Sequence, residues 1–150
     1  MSFSAKVKGE ICRYTDISIE EALAEISAIM KGSGTIGFSG RGLSFKITTE
    51  NPASARHIFT ILKEYFDIHS KLMVKKSNSL KKNNIYMVLI DEEMGVRDLL
   101  KKTGIFQEID GVLTLDYKID PEMIKTDEYK RAYIRGAFIG GGSISNPEKT

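Results

Sequence analysis

One cysteine, two histidines and no long apolar run set the first limits on this 150-residue chain. Cys12 has no second thiol to pair with, which excludes an internal disulfide and a multi-thiolate zinc site. It reads as a small buried hydrophobe in a reducing compartment. His57 lies on an amphipathic helical stretch and His69 stands alone, so both read as structural or solvated rather than as metal ligands. No segment approaches the roughly 18 consecutive apolar residues of a membrane span, and the opening MSFSAKVKGE lacks the apolar middle of a secretory signal. The expectation is a cytoplasmic protein with no membrane partner. Low-complexity segments are also lacking. What is there, 41% hydrophobic residues in one chain of this length, suits a single ordinary core.

A net charge of +2 says little, but its distribution says more. From Ile68 to Ile90 there are five lysines (Lys71, Lys75, Lys76, Lys81, Lys82) and no carboxylate. From Asp91 to Glu128 eleven acids stand against five bases. Such segregation gives one part of the surface a positive field that attracts a polyanion, while the rest keeps the protein soluble.

Ser4 to Arg13 reads as a short helix, with Val7 and Ile11 on one face. Ser18 followed by Glu21 is a capping box, and Ile19, Leu23, Ile26 and Met30 recur at helical spacing until Gly32 and Gly34 end the run. Ile36 and Phe38, then Leu43, Phe45 and Ile47, alternate around Ser39-Gly40-Arg41-Gly42, the signature of a hairpin. Asn51-Pro52 caps an amphipathic helix through Phe66. Leu72 with Val74 and then Ile85 to Ile90 form a second strand pair joined by a basic loop. Val96 to Lys102 is a short helix, Gly104 to Gly111 and Thr114 to Asp120 look like linkers, and Asp120-Pro121 opens the approach to a last helix through Ile139. This alternation predicts an α+β fold in the order α-β-β-α-β-β-α, helices covering one face of an antiparallel sheet and leaving the other to solvent or a ligand.

The strongest signal is an internal repeat. AEISAIMKGSGTI (Ala24 to Ile36) matches AYIRGAFIGGGSI (Ala132 to Ile144) at a constant offset of 108 residues. Ala24, Ala28 and Gly32 in one copy, and Ala132, Gly136 and Gly140 in the other, are spaced by four, so each helix carries a smooth ridge that lets two backbones approach. Neither copy contains the lysine of a GxxxxGK[ST] phosphate loop or a GxGxxG between strand and helix.

This pattern resembles the LAGLIDADG motif of homing endonucleases, with Ile26 to Gly34 and Ile134 to Gly142 as its two copies. The resemblance implies two motif helices packed at a pseudo-two-fold axis, each leading into an antiparallel sheet that lies on DNA. In those nucleases the acid before the final glycine binds the divalent metals of phosphodiester cleavage. Ser33 and Gly141 stand there in this chain, and Lys31 and Ile139 replace the motif's earlier aspartate. A hydroxyl and a glycine do not supply the charged oxygen ligands that Mg²⁺ requires, so no catalytic residue, metal or cofactor is expected.

Loss of both acids with the ridge retained, together with the opening MSFS..VK.E and the closing RAYIRGAFIGGGSISNPEK, is similar to the WhiA family of bacterial transcription regulators of sporulation and cell division. The resemblance covers essentially the whole chain. In that family a double LAGLIDADG-like domain precedes a helix-turn-helix domain. It therefore implies a fragment: a first half-domain with its N-terminal helix over residues 1–125, the start of a second half over 126–150, and the helix-turn-helix absent. A motif helix with no half-domain of its own to cover is expected to be exposed, and self-association through it is one expectation.

Strand alternation supplies the binding face. If Leu43, Phe45 and Ile47 point into the helices, then Ser44, Lys46 and Thr48 point away, with Thr35, Gly37 and Ser39 beside them. On the third strand Leu72 and Val74 inward leave His69, Lys71, Met73 and Lys75 outward, whereas the fourth strand is apolar on both faces and is left unassigned. The outward set holds cations and hydroxyls and no carboxylate. Lys46, Lys71 and Lys75, extended at the rims by Arg41 and by Lys76, Lys81 and Lys82 in the second loop, are the expected contacts to double-stranded DNA. Two other readings remain open: a platform contacting RNA polymerase or another transcription regulator through the acidic stretch from Asp91 to Glu128, and an active metal-dependent endonuclease, which the missing acids disfavour.

Overall fold

The computed structural model describes residues 3–11, 16–76 and 84–141. Lys81, Lys82, Cys12 and the second-copy residues from Gly142 onward lie outside them. The described residues form five helices and six strands: α1 (Phe3–Ile11), α2 (Ile19–Ser33), β1 (Gly34–Ser39), β2 (Gly42–Thr49), α3 (Pro52–Phe66), β3 (Lys71–Lys76), β4 (Asn84–Asp91), α4 (Val96–Lys102), β5 (Phe106–Ile109), β6 (Val112–Leu115) and α5 (Asp127–Gly140).

Local chemistry fixes the helix starts. The Ser18 hydroxyl accepts from the Glu21 amide at 3.1 Å while the Glu21 carboxylate accepts from the Ser18 amide at 3.4 Å, closing the capping box on α2. The Asn51 side chain accepts from the Ala53 and Ser54 amides at 2.9 and 3.3 Å, with Pro52 occupying a position where no amide is needed. Thr126 caps α5 by accepting from the Tyr129 amide at 3.1 Å.

The four-stranded sheet has the order β1-β2-β4-β3, antiparallel throughout. Phe45, Ile47, Val88 and Ile90 of the two central strands are fully buried against Ile26, Ile29 and Met30 of α2 and Ile58 and Leu62 of α3, with Leu99 and Leu100 of α4 closing the same core. Each such side chain contributes about 1.5–3 kcal/mol by leaving water. α2 runs straight into β1 because Gly34 lets the Phe45 ring lie against the backbone at the junction; a Cβ atom there would overlap the ring. The α+β arrangement is the one expected, with helices on one face of the sheet.

Several expectations need correction. The two stretches read as linkers, with Val112 and Leu113 between them, carry the separate β5-β6 hairpin, whose turn Asp110-Gly111 takes positive φ at both residues (52° and 78°) as a two-residue hairpin requires. The approach to the last helix is a short 3-10 turn, Pro121–Ile124, before α5 begins at Asp127. Leu72 and Val74 do share the helix-side rows of the sheet, yet they are 39% and 55% exposed because β3 is an edge strand beyond the reach of the helices. Phe38 on the opposite edge is 77% exposed for the same reason.

Candidate nucleic-acid interface

Register settles the strand that sequence left unassigned. Ile47 pairs with Val88 and Phe45 with Ile90, which sends Val88 and Ile90 into the core and turns Ile85, Met87 and Leu89 to the open face. Residues paired across neighbouring strands share a face. One open-face row therefore runs Thr35, Lys46, Leu89, Lys71, and the next runs Thr48, Met87, Met73. Lys75 sits beside Ile85 at one end, and Ser44 beside Asp91 near the other. Lys46, Lys71 and Lys75 are all exposed on this face.

The other expected contacts fall differently. Arg41 is exposed in the β1-β2 turn, at the end of the sheet opposite Lys75. Lys76 is not in a loop: it is the last residue of β3, paired with Asn84, in a row that belongs to the helix side. Lys81 and Lys82 lie outside the described residues. His69 precedes β3 rather than standing on it, exposed, with Nε2 3.4 Å from an Asp67 carboxylate oxygen. The open face also carries a carboxylate after all, Asp91, which accepts a hydrogen bond from the Met94 amide at 3.1 Å. Beside it Glu92 accepts from Arg97 at 2.7 Å and from the Leu43 amide at 3.3 Å. The Arg97 hydrogen bond, reinforced by the Leu43 amide and by charge attraction against a smaller desolvation cost, holds the Glu92 carboxyl below the usual glutamate range.

The repeated ridge lies between α2 and α5. Ala24, Ala28, Ala132, Gly136 and Gly140 are buried there, and a Cβ atom on Gly136 would overlap the Glu25 carbonyl oxygen. Gly32, exposed at its edge, has room for a Cβ only 3.3 Å from the Gly140 carbonyl carbon. The ridge of α5 is thus covered by α2 and not left open as expected. Beside it is a group that sequence reading missed. Glu25, fully buried, meets His57 Nε2 of α3 at 2.9 Å, and Arg135 of α5 comes within 4.0 Å of Glu25 and 3.9 Å of Glu21. Three helices separated in sequence are pinned by one polar cluster.

At the ends of the motif helices the donor chemistry is poor. The Ser33 hydroxyl donates to the Ile29 carbonyl at 3.2 Å, and Gly141 caps α5 through its own amide. Lys31 donates to the Lys118 carbonyl at 2.7 Å, and its burial lowers the ammonium pKa against the pull of Asp116 and Asp120. A divalent ion of the homing-endonuclease type does not fit this set: no carboxylate stands at Ser33 or Gly141. Among the described residues no three histidine, cysteine, aspartate or glutamate side chains converge as a metal site would need, and no helix is long and apolar enough to cross a membrane.

Paired small-residue helices and an antiparallel sheet open on one face define a LAGLIDADG-like domain with both motif acids replaced. The solved N-terminal LAGLIDADG domain of a DUF199/WhiA protein has the same fold, at TM-score 0.67 and 22% identity over 99% of this chain and 62% of that one. Full-length DUF199/WhiA from Thermatoga maritima matches at TM-score 0.63 and 19% identity, over 99% of this chain and 42% of the other. The family model for the WhiA N-terminal LAGLIDADG-like domain matches residues 20–106, and the model for the WhiA LAGLIDADG-like domain matches 130–150. The chain belongs to the WhiA family. It is 78% identical to the probable cell division protein WhiA of Clostridium beijerinckii and 77% identical to that of Clostridium perfringens strain 13, over 100% of this chain and 48% of each relative. Against the Clostridium acetobutylicum relative the identity is 61%, over 99% of this chain and 47% of the relative. The chain thus spans about half the length of these relatives.

Proposed function

We propose that this chain is a DNA-binding domain of a bacterial transcription regulator of cell division or sporulation, acting in the cytoplasm at the nucleoid and holding duplex DNA without cutting it. The observation that carries this reading is the placing of Lys46, Lys71 and Lys75 on one uncovered sheet face. Its one paired-strand carboxylate, Asp91, is already engaged as a cap. Cations so placed position a protein on phosphates without reading sequence. The reading without cleavage rests on Ser33 and Gly141, neither of which offers a charged oxygen to a metal.

A fluorescent duplex titrated at two salt concentrations tests the first half: affinity should fall steeply with salt, by a slope of roughly −0.9 per phosphate contact. The same duplex with Mg²⁺ or Mn²⁺ should remain intact. Salt-independent binding or metal-dependent cleavage by the purified chain overturns the reading.

A second reading has its own observation. Ile109, Val112, Leu113 and Leu115 of the β5-β6 hairpin are 46–61% exposed within the acidic stretch, which suits a protein contact such as RNA polymerase or another transcription factor. Retained function of a variant with Ile109 and Val112 changed to serine argues against it.

A further inference from the structure

The open face is not uniformly polar. Its central strand contributes Ile85, Met87 and Leu89, partly exposed and in line, with Met73 beside Met87. In the row Lys46-Leu89-Lys71 a leucine stands between two lysines, which are two strand spacings apart, about 10 Å. That separation is close to the roughly 12 Å width of the major groove of B-DNA. With the lysines directed to the two phosphate walls, Leu89 and Met87 face the groove floor. These side chains have no hydrogen-bond donor for a base edge, so direct readout along this line uses apolar contact alone. The major groove of unmodified DNA offers one apolar group, the C5-methyl of thymine.

Building on the DNA-binding reading above, we propose that the Met73, Met87 and Leu89 strip is a thymine-methyl reading surface, making this face prefer duplexes that present C5-methyl groups in the major groove. The flanking cations select a polyanion over an apolar protein surface as its occupant. Thr48, whose own methyl lies in the Met87 row, extends the strip across β2.

The test uses fluorescein-labelled duplexes of one length and one salt concentration: alternating dA-dT against dA-dU, which removes only the methyl, and dG-dC against its 5-methylcytosine form, which adds one at the corresponding position. The chain should bind dA-dT more tightly than dA-dU by about fourfold for each contacted methyl, the factor for one buried CH₂, and methylation of cytosine should strengthen binding in the same sense. Met73→Gln, Met87→Gln and Leu89→Gln together, checked for folding by circular dichroism, should erase both preferences and keep the salt slope. Equal affinity for dA-dT and dA-dU, with salt-dependent binding intact, overturns the methyl-reading strip and leaves the DNA-binding reading standing. No binding to any of the four duplexes overturns both. A preference for dA-dT that persists in a folded triple variant overturns the assignment to these residues, and the ligand-side comparison stands whether or not that variant folds.

Discussion

Gly136 of α5 faces the main-chain carbonyl of Glu25 in α2 so closely that a Cβ atom would overlap the carbonyl oxygen. The neighbour is backbone and has no flexible end with which to yield. Gly136→Ala should therefore destabilise the protein by about 1–3 kcal/mol, the usual cost of overpacking, although alanine is the better helix former. Gly9 in α1 has nothing within 4 Å of the corresponding position, so Gly9→Ala should be neutral or stabilising by up to about 1 kcal/mol. Urea denaturation of the two variants checks the contrast, and equal stability would show that α2 and α5 do not pack along the ridge.

The Glu25–His57 pair lies in the same junction, its side chains almost without solvent contact. Removing one partner of a buried pair costs about 3–5 kcal/mol where nothing else compensates the other; here Arg135, 4.0 Å from Glu25, offsets part of that loss when His57 is removed, whereas replacing both with apolar side chains is often near neutral. His57→Leu should thus cost more stability than the double variant Glu25→Leu with His57→Leu. Melting of the two single variants and the double variant gives the coupling directly; additive losses would mean that the two groups do not depend on each other.

The ridge and the capping box were legible in sequence because both are local patterns, spaced by three or four residues along one helix. Ala24, Ala28 and Gly32 announce a face for close packing, the resemblance implies Ala132, Gly136 and Gly140 as its partner, and the fold brings Gly136 against the Glu25 carbonyl and Gly140 against Gly32. The β5-β6 hairpin had a signal that went unread: Asp110-Gly111 between FQEI and VLTL is a two-residue hairpin turn, masked by the acidic, loop-like residues around it. For β4, a strand apolar on both faces gives no period to follow, and its side assignment needed the pairing of Phe45 with Ile90. Glu25, His57 and Arg135 come together only through tertiary packing, so no spacing along the chain links them.

The Glu92–Arg97 hydrogen bond makes a pH-dependent contribution with a definite sign. Glu92 has its pKa lowered in the folded chain, chiefly by that bond, so the folded state binds fewer protons there than the unfolded one. Its stabilisation is present above the ordinary glutamate value and is lost as pH falls through the depressed folded value. Glu92→Gln should flatten the acid limb of the stability curve and leave its shape at neutral pH unchanged. Thermal melts between neutral pH and pH 3 check this, and identical acid limbs would assign the acid sensitivity to other carboxylates.

Charge placement, rather than total charge, should govern DNA affinity. Lys46, Lys71 and Lys75 stand on the open face, whereas Lys63 on α3, Lys101 on α4 and Lys130 on α5 are exposed on elements away from it. Changing either trio to alanine removes the same net charge. If the open face meets phosphates, the first triple variant should lose affinity for every duplex alike and flatten the salt slope by about 2.7, three contacts at roughly 0.9 each. The second should retain the slope and most of the affinity. Neither should unfold the protein, because substitutions at exposed positions usually change stability by only about 0.5 kcal/mol. Fluorescence anisotropy over a salt series distinguishes the two, and equal losses in both trios would mean that binding follows net charge and that the open face holds no phosphate in place.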